Sequence, residues 1–394
     1  MNLIILSAEM PYPANTGGRI VVYKRLQYLA QNNIVYFFCI VDNEEEKVFA
    51  DELRIYCKEV HLYNRNTTVN KLLTLLNYWR GPLACVSRTN SQLRDDLSQC
   101  YLSNNIDRVI VEFPQMLGNI SDSMFLQNKI VLEQHNIEWV TMSNIAKSIK
   151  NPIKRAVFMI ESKRLKKWED TYYKRSIALQ TFVSSEDKAF FERCYPYVET
   201  YHSPIGSEIN ELDENKVEFG SIMFFGKMSY PPNAEAAKWF AEEVFPDIVK
   251  EVPQAKFYIV GKAPLPYLYE LPKKNFHIIL TGTVDSVRDY YEKASVVVVP
   301  LSHGGGVKVK VLEALGYGKL VVSTSKGIEG TDFVSNVDLV VADDAKEMVS
   351  KVKDALMNPE RLKTIREHGC KKVYEIYSWT TIVNNFLVKL KSLT

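Results

Sequence analysis

The chain alternates between short apolar, β-branched segments and longer amphipathic segments along almost its whole length. Such an alternation is typical of parallel sheets that are covered by helices on both faces. The strands themselves are almost continuously apolar, as expected when neither face meets water. One series of predicted strands is Asn2–Ser7, Ile34–Val41, Val60–Leu62, Arg108–Glu112, Lys129–Glu133 and Leu179–Val183; a second is Ser221–Phe225, Lys256–Val260, His277–Leu280, Val296–Pro300, Leu320–Ser323 and Leu339–Val341. The pattern therefore predicts an α/β protein with two sheets.

The two series are separated by a polar, acidic stretch, which predicts a linker. We predict a first domain over 1–203, the linker over 204–218, a second domain over 219–375 and a C-terminal helix over 376–394. Other predicted helices run from about Gly18 to Gln31, from Ala234 to Lys250 and from Val307 to Tyr317. Two doubly wound domains joined in this way would bring the carboxyl ends of both sheets beside a shared cleft, where open α/β sheets bind ligands.

Composition and charge exclude several classes of protein. Of the 394 residues 46% are hydrophobic and 24% charged, which is typical of a globular protein. A net charge of +2 argues against a dedicated nucleic-acid binder. No apolar run approaches the roughly 20 residues that cross a bilayer, and the N-terminus has no signal-peptide pattern, so we expect a cytoplasmic protein. The six cysteines and six histidines are scattered without metal-ligand spacing, so no zinc site is expected.

The strongest local motif follows the predicted strand that ends at Pro300. Three glycines, Gly304–Gly306, precede a predicted helix that carries Lys308, Lys310 and Glu313. Glycines allow a ligand to approach the backbone closely, and a helix N-terminus offers free N–H groups to an anion. One interpretation is a diphosphate site, with the carboxylate of Glu313 accepting hydrogen bonds from a ribose. The other is a glycine turn followed by a solvated, charged helix, and the motif alone leaves both open.

Four motifs in order make the chain resemble the family 4 retaining glycosyltransferases. They are Pro11–Gly18, Glu133–Glu138, Phe225–Met228 and the segment from Gly305 to Gly330. The resemblance covers the whole chain and implies the GT-B fold, two Rossmann-like domains that face a central cleft. It also implies a nucleotide-sugar donor, bound by the second domain, and an acceptor, bound by the first. The implied reaction transfers a hexose-type sugar to a hydroxyl group with retention at the anomeric carbon.

The resemblance assigns roles to individual residues. The implied catalytic residues are His135, Lys227 and Lys310, and those on the acceptor side are Arg19, Asn136 and Glu138. The implied donor-binding residues are Gly17, Gly18, Gly304, Gly305, Gly306, Val307, Lys308 and Glu313. No Asp-x-Asp motif accompanies them, so neither a metal nor another cofactor is expected.

Two departures from the family pattern concern the donor site. Gly305 stands where many members have the first of two glutamates, and Asn233 stands where many have a second basic residue. Main-chain N–H groups of Gly304–Val307 could then bind the sugar hydroxyls, which leaves the donor sugar undetermined.

A strongly basic stretch lies in the first domain. Ten basic residues occur between Lys147 and Arg175, together with apolar residues at helical spacing. A basic amphipathic helix of this kind could rest on an anionic membrane at its inner face, where a lipid-linked acceptor would be presented. Equally, it could pack on its own sheet with a solvated basic face. A saccharide, a lipid-linked sugar or a protein all remain open as acceptors.

Two other functions remain open for this sequence. A nucleotide-sugar epimerase can have the same architecture, although its acid and histidine motifs are not visible. A catalytically silent protein that binds nucleotide sugars or scaffolds an assembly complex is supported only by the missing first glutamate.

Overall fold

The computed structural model describes residues 1–14, 16–65, 79, 81–210, 212–304 and 309–393. The chain divides into two compact units. The first unit contains Met1–Pro204 together with the segment from Val383 onward, and the second contains Ile205–Ile382. The predicted sites at Gly305, Gly306, Val307 and Lys308 lie outside the described residues.

The first unit is built on a parallel sheet. Its strands within the described residues are β1 (Asn2–Ser7), β2 (Ile34–Val41), β3 (Glu59–Asn64), β4 (Arg108–Glu112), β5 (Ile130–Gln134), β6 (Leu179–Phe182) and β7 (Thr200–His202), in the order β3-β2-β1-β4-β5-β6-β7. Its helices are α1 (Gly17–Ala30), α2 (Ala50–Arg54), α3 (Leu83–Val86), α4 (Ser91–Ser103), α5 (Asp122–Leu126), α6 (Glu138–Ser148), α7 (Pro152–Tyr173) and α8 (Ser185–Cys194). Apolar residues on both faces of the sheet are buried, which explains why its strands lack polar alternation.

The second unit repeats this architecture. Its described strands are β8 (Ser221–Phe225), β9 (Lys256–Val260), β10 (Ile278–Gly282), β11 (Val296–Val299), β12 (Val321–Ser323) and β13 (Val340–Val341), in the order β10-β9-β8-β11-β12-β13. Its helices are α9 (Pro231–Trp239), α10 (Phe245–Glu251), α11 (Leu271–Lys274), α12 (Arg288–Lys293), α13 (Val309–Gly316), α14 (Ala345–Met357) and α15 (Lys363–Lys372). All strand pairs are parallel, so the carboxyl ends of the strands lie at one edge of the sheet.

The last helix, α16 (Trp379–Ser392), returns the chain to the first unit. Phe386 and Leu390 are buried in the core of that unit. The guanidinium of Arg108, at the start of β4, donates to the carbonyl of Leu390 at 3.3 Å. The terminal helix is therefore part of the packing of the first unit.

Two predicted helices differ in detail. The segment Ala234–Lys250 is not one regular helix, because a π-helical turn at Phe240–Val244 separates α9 from α10. Pro246 explains the break, since proline lacks an N–H group and clashes with the preceding turn of a helix. The basic stretch from Lys147 to Arg175 is likewise divided, because Pro152 begins α7 after the capping residue Asn151.

The polar stretch before β8 lies against its own unit. Ser207 forms an isolated bridge with Ser378, and its hydroxyl donates to the carbonyl of Leu312 at 3.3 Å. The N–H of Asn210 donates to the carbonyl of Gly316 at 3.1 Å. These bonds fix the stretch to α13, the helix that carries Lys310 and Glu313.

Candidate active site

Two glutamates lie near the carboxyl ends of neighbouring strands of the first unit. Glu112 on β4 pairs in register with Glu133 on β5, so both carboxylates stand at the carboxyl edge of the sheet. Arg25 of α1 reaches both, with its Nη1 atom 3.1 Å from Glu112 Oε1 and 2.7 Å from Glu133 Oε2. Arg25 is only 1% exposed, and both glutamates are equally buried. Because an unpaired charge at such depth is very costly, these three side chains depend on one another.

The pKa values of this group follow from burial and pairing. Burial disfavours the charge on Arg25, but Glu133 and Glu112 outweigh it and raise the arginine's pKa. Burial also opposes ionisation of Glu112, yet Arg25 and His135 hold its pKa below the usual range. For Glu133, burial dominates, and with the charge of Glu112 it raises the pKa. Glu133 therefore takes up a proton before Glu112 does.

His135 follows directly after β5 and contacts this group. Its Nε2 atom lies 2.9 Å from Oε2 of Glu112. Its ring stacks on Phe113, with a centroid distance of 4.2 Å and an interplanar angle of 19°. Phe113 has a φ of +76°, a strained value for a residue with a side chain, which the surrounding structure must stabilise. When a neutral His135 donates from Nε2 to Glu112, its Nδ1 atom becomes a hydrogen-bond acceptor.

The glycine turn at the start of α1 lies beside the same group. A Cβ atom on Gly18 would lie 3.1 Å from Oε1 of Glu9 and 3.4 Å from the ring of Phe113, whereas Gly17 faces open space. Arg19 pairs with Glu46 at 2.8 Å and with Glu9 at 3.4 Å. Gly18 is thus close to the ring that stacks on His135, and Arg19 is held by two carboxylates of its own unit.

The remaining acceptor-side predictions lie just beyond His135. Asn136 is exposed, and Glu138 begins α6. Burial raises the pKa of Glu138, while the charges of His135 and Arg88 lower it. Glu138 is therefore an electrostatic neighbour of His135.

Asn233 joins the two predicted lysines of the second unit. Its side-chain N–H donates to the carbonyl of Lys227 at 3.0 Å, and its Oδ1 accepts from Nζ of Lys310 at 3.2 Å. Asn233 is itself buried, at the first turn of α9. The residue that replaces a basic group of the family pattern thus connects the loop after β8 with α13.

Glycines allow a close approach at this edge of the second sheet. A Cβ atom on Gly261, after β9, would lie 1.8 Å from the carbonyl oxygen of Gly226, and one on Gly226 would lie 2.7 Å from Nδ2 of Asn233. Gly304 has a φ of +114° and lies against Tyr230 and Pro232 at the start of α9. These contacts bring Gly304 to the same edge as Lys227.

Glu313 lies one turn after Lys310 on α13. Burial raises the pKa of Glu313 to about 7, and Lys310 opposes the shift. The rings of Tyr291 and Tyr317 stack with their centroids 4.2 Å apart. Burial and, in addition, the charge of Glu313 raise the pKa of both tyrosines, so both phenols lie close to Glu313. A carboxyl group in this state can serve as a strong acceptor once it is ionised.

The second unit thus brings together Lys227, Lys310, Gly304 and Glu313, whereas His135 and Gly18 gather in the first unit. Sequence reasoning missed Glu112, Arg25, Phe113 and the connecting role of Asn233. Within the described ranges no three His, Cys, Asp or Glu side chains form a group that could hold a metal ion. In the same residues no helix is long and apolar enough to span a membrane.

A sequence profile of the family described as "Glycosyl transferases group 1" matches residues 220–358. Most of the second unit is thus similar to the group 1 glycosyl transferases. The match includes the loop after β8, Asn233 and all of α13. The resemblance to group 1 glycosyltransferases is therefore confirmed, with the profile match confined to the second unit.

Comparison of the whole chain found a relative in sequence and similar proteins among solved structures. The chain is 25% identical, over 95% of its length and 96% of the relative's, to an "Uncharacterized 44.6 kDa protein in cps region" of Klebsiella pneumoniae. It is similar in structure to HepE of Anabaena in complex with UDP, with a TM-score of 0.69, 13% identity and 100% of both chains covered. It is also similar to sucrose-phosphate synthase of Thermosynechococcus elongatus, with a TM-score of 0.64, 12% identity and coverage of 100% and 99%. The predicted fold class is confirmed: two Rossmann-like domains of the GT-B type.

Proposed function

We propose that the protein is a retaining glycosyltransferase that moves a sugar from a nucleotide diphosphate to a hydroxyl acceptor. The observation that carries the proposal is the connection of Lys227, Asn233 and Lys310 within the segment that matches the group 1 profile, one helical turn before the partly buried Glu313. Two cations beside a glycine-rich edge suit a diphosphate. A carboxylate at the next turn suits the two hydroxyls of a ribose.

In the donor site, Lys227 and Lys310 neutralise the charge that develops on the departing diphosphate. Fixed cations and N–H groups that meet developing charge lower the barrier without reorganising during the reaction. Asn233 holds Lys310 in place through its Oδ1 atom, while its own N–H is bound to the loop after β8. UDP is the first nucleotide to test, because the similar HepE structures contain UDP and UDP-glucose.

His135 acts in the first unit, on the sugar that is transferred. Glu112 fixes the ring of His135 by accepting a hydrogen bond from its Nε2–H group, and Phe113 packs against the face of the ring. The group can therefore stabilise positive charge on the imidazole or present Nδ1 to a hydroxyl. Retention follows a front-face displacement in which the leaving phosphate helps to deprotonate the acceptor, so neither an enzymatic nucleophile nor a metal ion takes part.

The basic helix α7 supports a peripheral position on an anionic membrane. Its first seven residues, 152–158, are all exposed and combine apolar side chains with cations: Ile153 is 75% exposed and Val157 51%, beside Lys154 and Arg155. Such a segment suits anionic headgroups and the acyl boundary. This position suits a lipid-linked acceptor in cytoplasmic polysaccharide assembly, and the cps-region relative supports that setting.

Vesicle sedimentation tests the membrane position. Binding to phosphatidylglycerol vesicles, weaker binding to phosphatidylcholine vesicles and loss in Lys154→Glu/Arg155→Glu are expected. A matched control is Lys273→Glu/Lys274→Glu on α11 of the second unit, where both lysines are exposed. Equal binding of both double variants would contradict the position on the membrane.

The proposed reaction is tested by incubating the protein with a panel of nucleotide sugars and following free nucleotide. A transferase releases nucleoside diphosphate slowly, and a hydroxyl acceptor accelerates the release. An epimerase converts the nucleotide sugar into an isomer, and a silent binding protein leaves it unchanged. Either of the latter two results would overturn the proposal.

A further inference from the structure

The second unit contains a cavity of about 330 Å³ at the edge opposite to its lysine and glycine cluster. Lys319, which lines it, precedes β12 by two residues and therefore stands at the amino-terminal end of that strand. Lys227 follows the carboxyl end of β8, and the sheet is parallel throughout. The cavity is thus distinct from the donor site proposed above.

Lys319 is an unusual side chain for this position. It is only 6% exposed, although lysine is among the residues least often buried. Burial and the nearby charge of Arg366 together lower the pKa of Lys319 to about 8, although the charges of Glu214 and Glu292 oppose the shift. Within the described part of the chain no hydrogen-bond acceptor is found for its ammonium group. A buried cation in this state is stabilised when an anion joins it.

A second cation and Asn210 complete the polar wall of the cavity. Arg366 of α15 lines it with its Nη1 atom 3.1 Å from Oε1 of Glu214, and Asn210 is also part of the lining. The Glu214 side chain is 75% exposed, and an ion pair with so exposed a partner contributes little to stability. Arg366 can therefore exchange Glu214 for a ligand at low cost. The donors at this wall outnumber its one carboxylate.

We propose that this cavity binds the phosphate group of a small molecule, with Lys319 and Arg366 as its cationic ligands. An anion between the two side chains replaces their mutual repulsion by attraction, and the guanidinium can bind phosphate oxygens in pairs. The cavity has room for more than a phosphate, and Leu212 and Val217 form an apolar part of its wall. Its volume is within the range of small-molecule sites. Free phosphate and a sugar phosphate share the recognised chemistry.

Thermal unfolding separates these sources without requiring activity. The melting temperature is measured with increasing inorganic phosphate, with glucose 6-phosphate and with sodium chloride at matched ionic strength. We expect a saturable rise with phosphate compounds that chloride does not reproduce, since a ligand that binds only the folded state stabilises it. If glucose 6-phosphate raises the melting temperature at a lower concentration than inorganic phosphate, the ligand is a sugar phosphate. If it needs the same or a higher concentration, the ligand is free phosphate.

Variants assign the effect to the cavity. Lys319→Met keeps an unbranched side chain without the ammonium group and should abolish the rise, and Arg366→Gln should shift its midpoint at least tenfold. Lys363→Met, an exposed lysine on the same helix as Arg366, is the matched control and should behave as the wild type. If Lys319→Met fails to fold, Arg366→Gln decides alone.

A further variant separates this proposal from the proposed function. Lys310→Ala changes the donor site and should leave the phosphate effect intact. Loss of the effect in Lys310→Ala with retention in Lys319→Met would place phosphate in the donor site and overturn the proposal. The absence of any phosphate-specific rise in the wild type would overturn it as well, while leaving the glycosyltransferase proposal untouched.

Discussion

The Nε2 atom of His135 is 2.9 Å from Oε2 of Glu112, and the other oxygen of that carboxylate is 3.1 Å from Arg25. The carboxylate of Glu112 thus connects His135 with the buried guanidinium of Arg25. Arg25 and His135 hold the pKa of Glu112 below its usual range, so the carboxylate remains ionised at neutral pH and can orient the ring. Glu112, at the end of β4, therefore positions His135 for the role proposed for it.

Glu112→Gln should reduce turnover by roughly 10–100-fold, because a hydrogen bond to a charged group contributes about 1.5–3 kcal/mol. Nucleotide affinity should change little, since the donor nucleotide is assigned to the second unit. The measurement is kcat and nucleotide Kd per folded molecule. Glu59→Gln is the control, since Glu59 pairs with the partly exposed ring of His61 at 3.0 Å. Equal effects of the two variants would remove Glu112 from the mechanism.

His135→Ala should depress turnover much more than donor affinity. A group close to the reacting sugar acts mainly in the transition state, so its loss appears in kcat. Turnover, nucleotide affinity and melting temperature should be measured on one preparation, with His61→Ala alongside. A folded His135→Ala protein with nearly wild-type turnover would exclude the residue from the active site, and a loss of melting temperature alone would make it structural.

Glu313→Ala should weaken nucleoside diphosphate binding by about 1–3 kcal/mol, the range for charge-assisted hydrogen bonds. Titration calorimetry measures the change, and Glu347→Ala on the exposed face of α14 serves as the control. Unchanged affinity in a folded Glu313→Ala protein would contradict the assignment of this carboxylate to the ribose.

The same residue predicts the pH dependence of donor binding. Since burial raises the pKa of Glu313 to about 7, the carboxylate that accepts hydrogen bonds forms only as pH rises through that value. Affinity for a nucleotide sugar should therefore increase between pH 6 and pH 8, and Glu313→Ala should flatten the increase. A nucleotide sugar is the better probe than a nucleoside diphosphate, whose terminal phosphate titrates near pH 6. An unchanged slope in the variant would assign the dependence to another group.

Activity should survive an excess of EDTA. The charge of the leaving diphosphate is assigned to Lys227, Lys310 and main-chain N–H groups, so no divalent ion is needed. Initial rates with and without chelator are the measurement. Complete loss in EDTA that magnesium or manganese restores would show that this assignment of the leaving-group chemistry is wrong.

Strand positions were largely predictable from the sequence because buried parallel strands are continuously apolar. Asn2–Ser7, Ile34–Val41 and Lys256–Val260 have the predicted bounds. By contrast, β7 was missed, since Thr200–His202 is three residues long and carries no apolar run. The π-helical turn at Phe240–Val244 was missed because its residues keep helical spacing.

The buried group of the first unit could not be predicted because its members are remote in sequence. Arg25 is 87 positions from Glu112, and a single arginine on a helix is usually a surface residue. One signal was present: Glu112 and Glu133 each end an apolar strand with a carboxylate, and adjacent parallel strands bring such ends together. In the sequence, Asn233 was notable only because many family members have a basic residue at this position. That difference does not indicate that its side chain connects Lys227 with Lys310.

The most direct test of the account compares acceptor-stimulated release of UDP from UDP-sugars by three proteins: the wild type, Lys310→Ala and Lys326→Ala. Lys310 contacts Asn233 in the proposed donor site, whereas Lys326 forms a surface ion pair with Glu329. We expect stimulated release by the wild type and by Lys326→Ala, with a loss of at least tenfold in Lys310→Ala while its melting temperature stays unchanged. Equal release by all three folded proteins would contradict it.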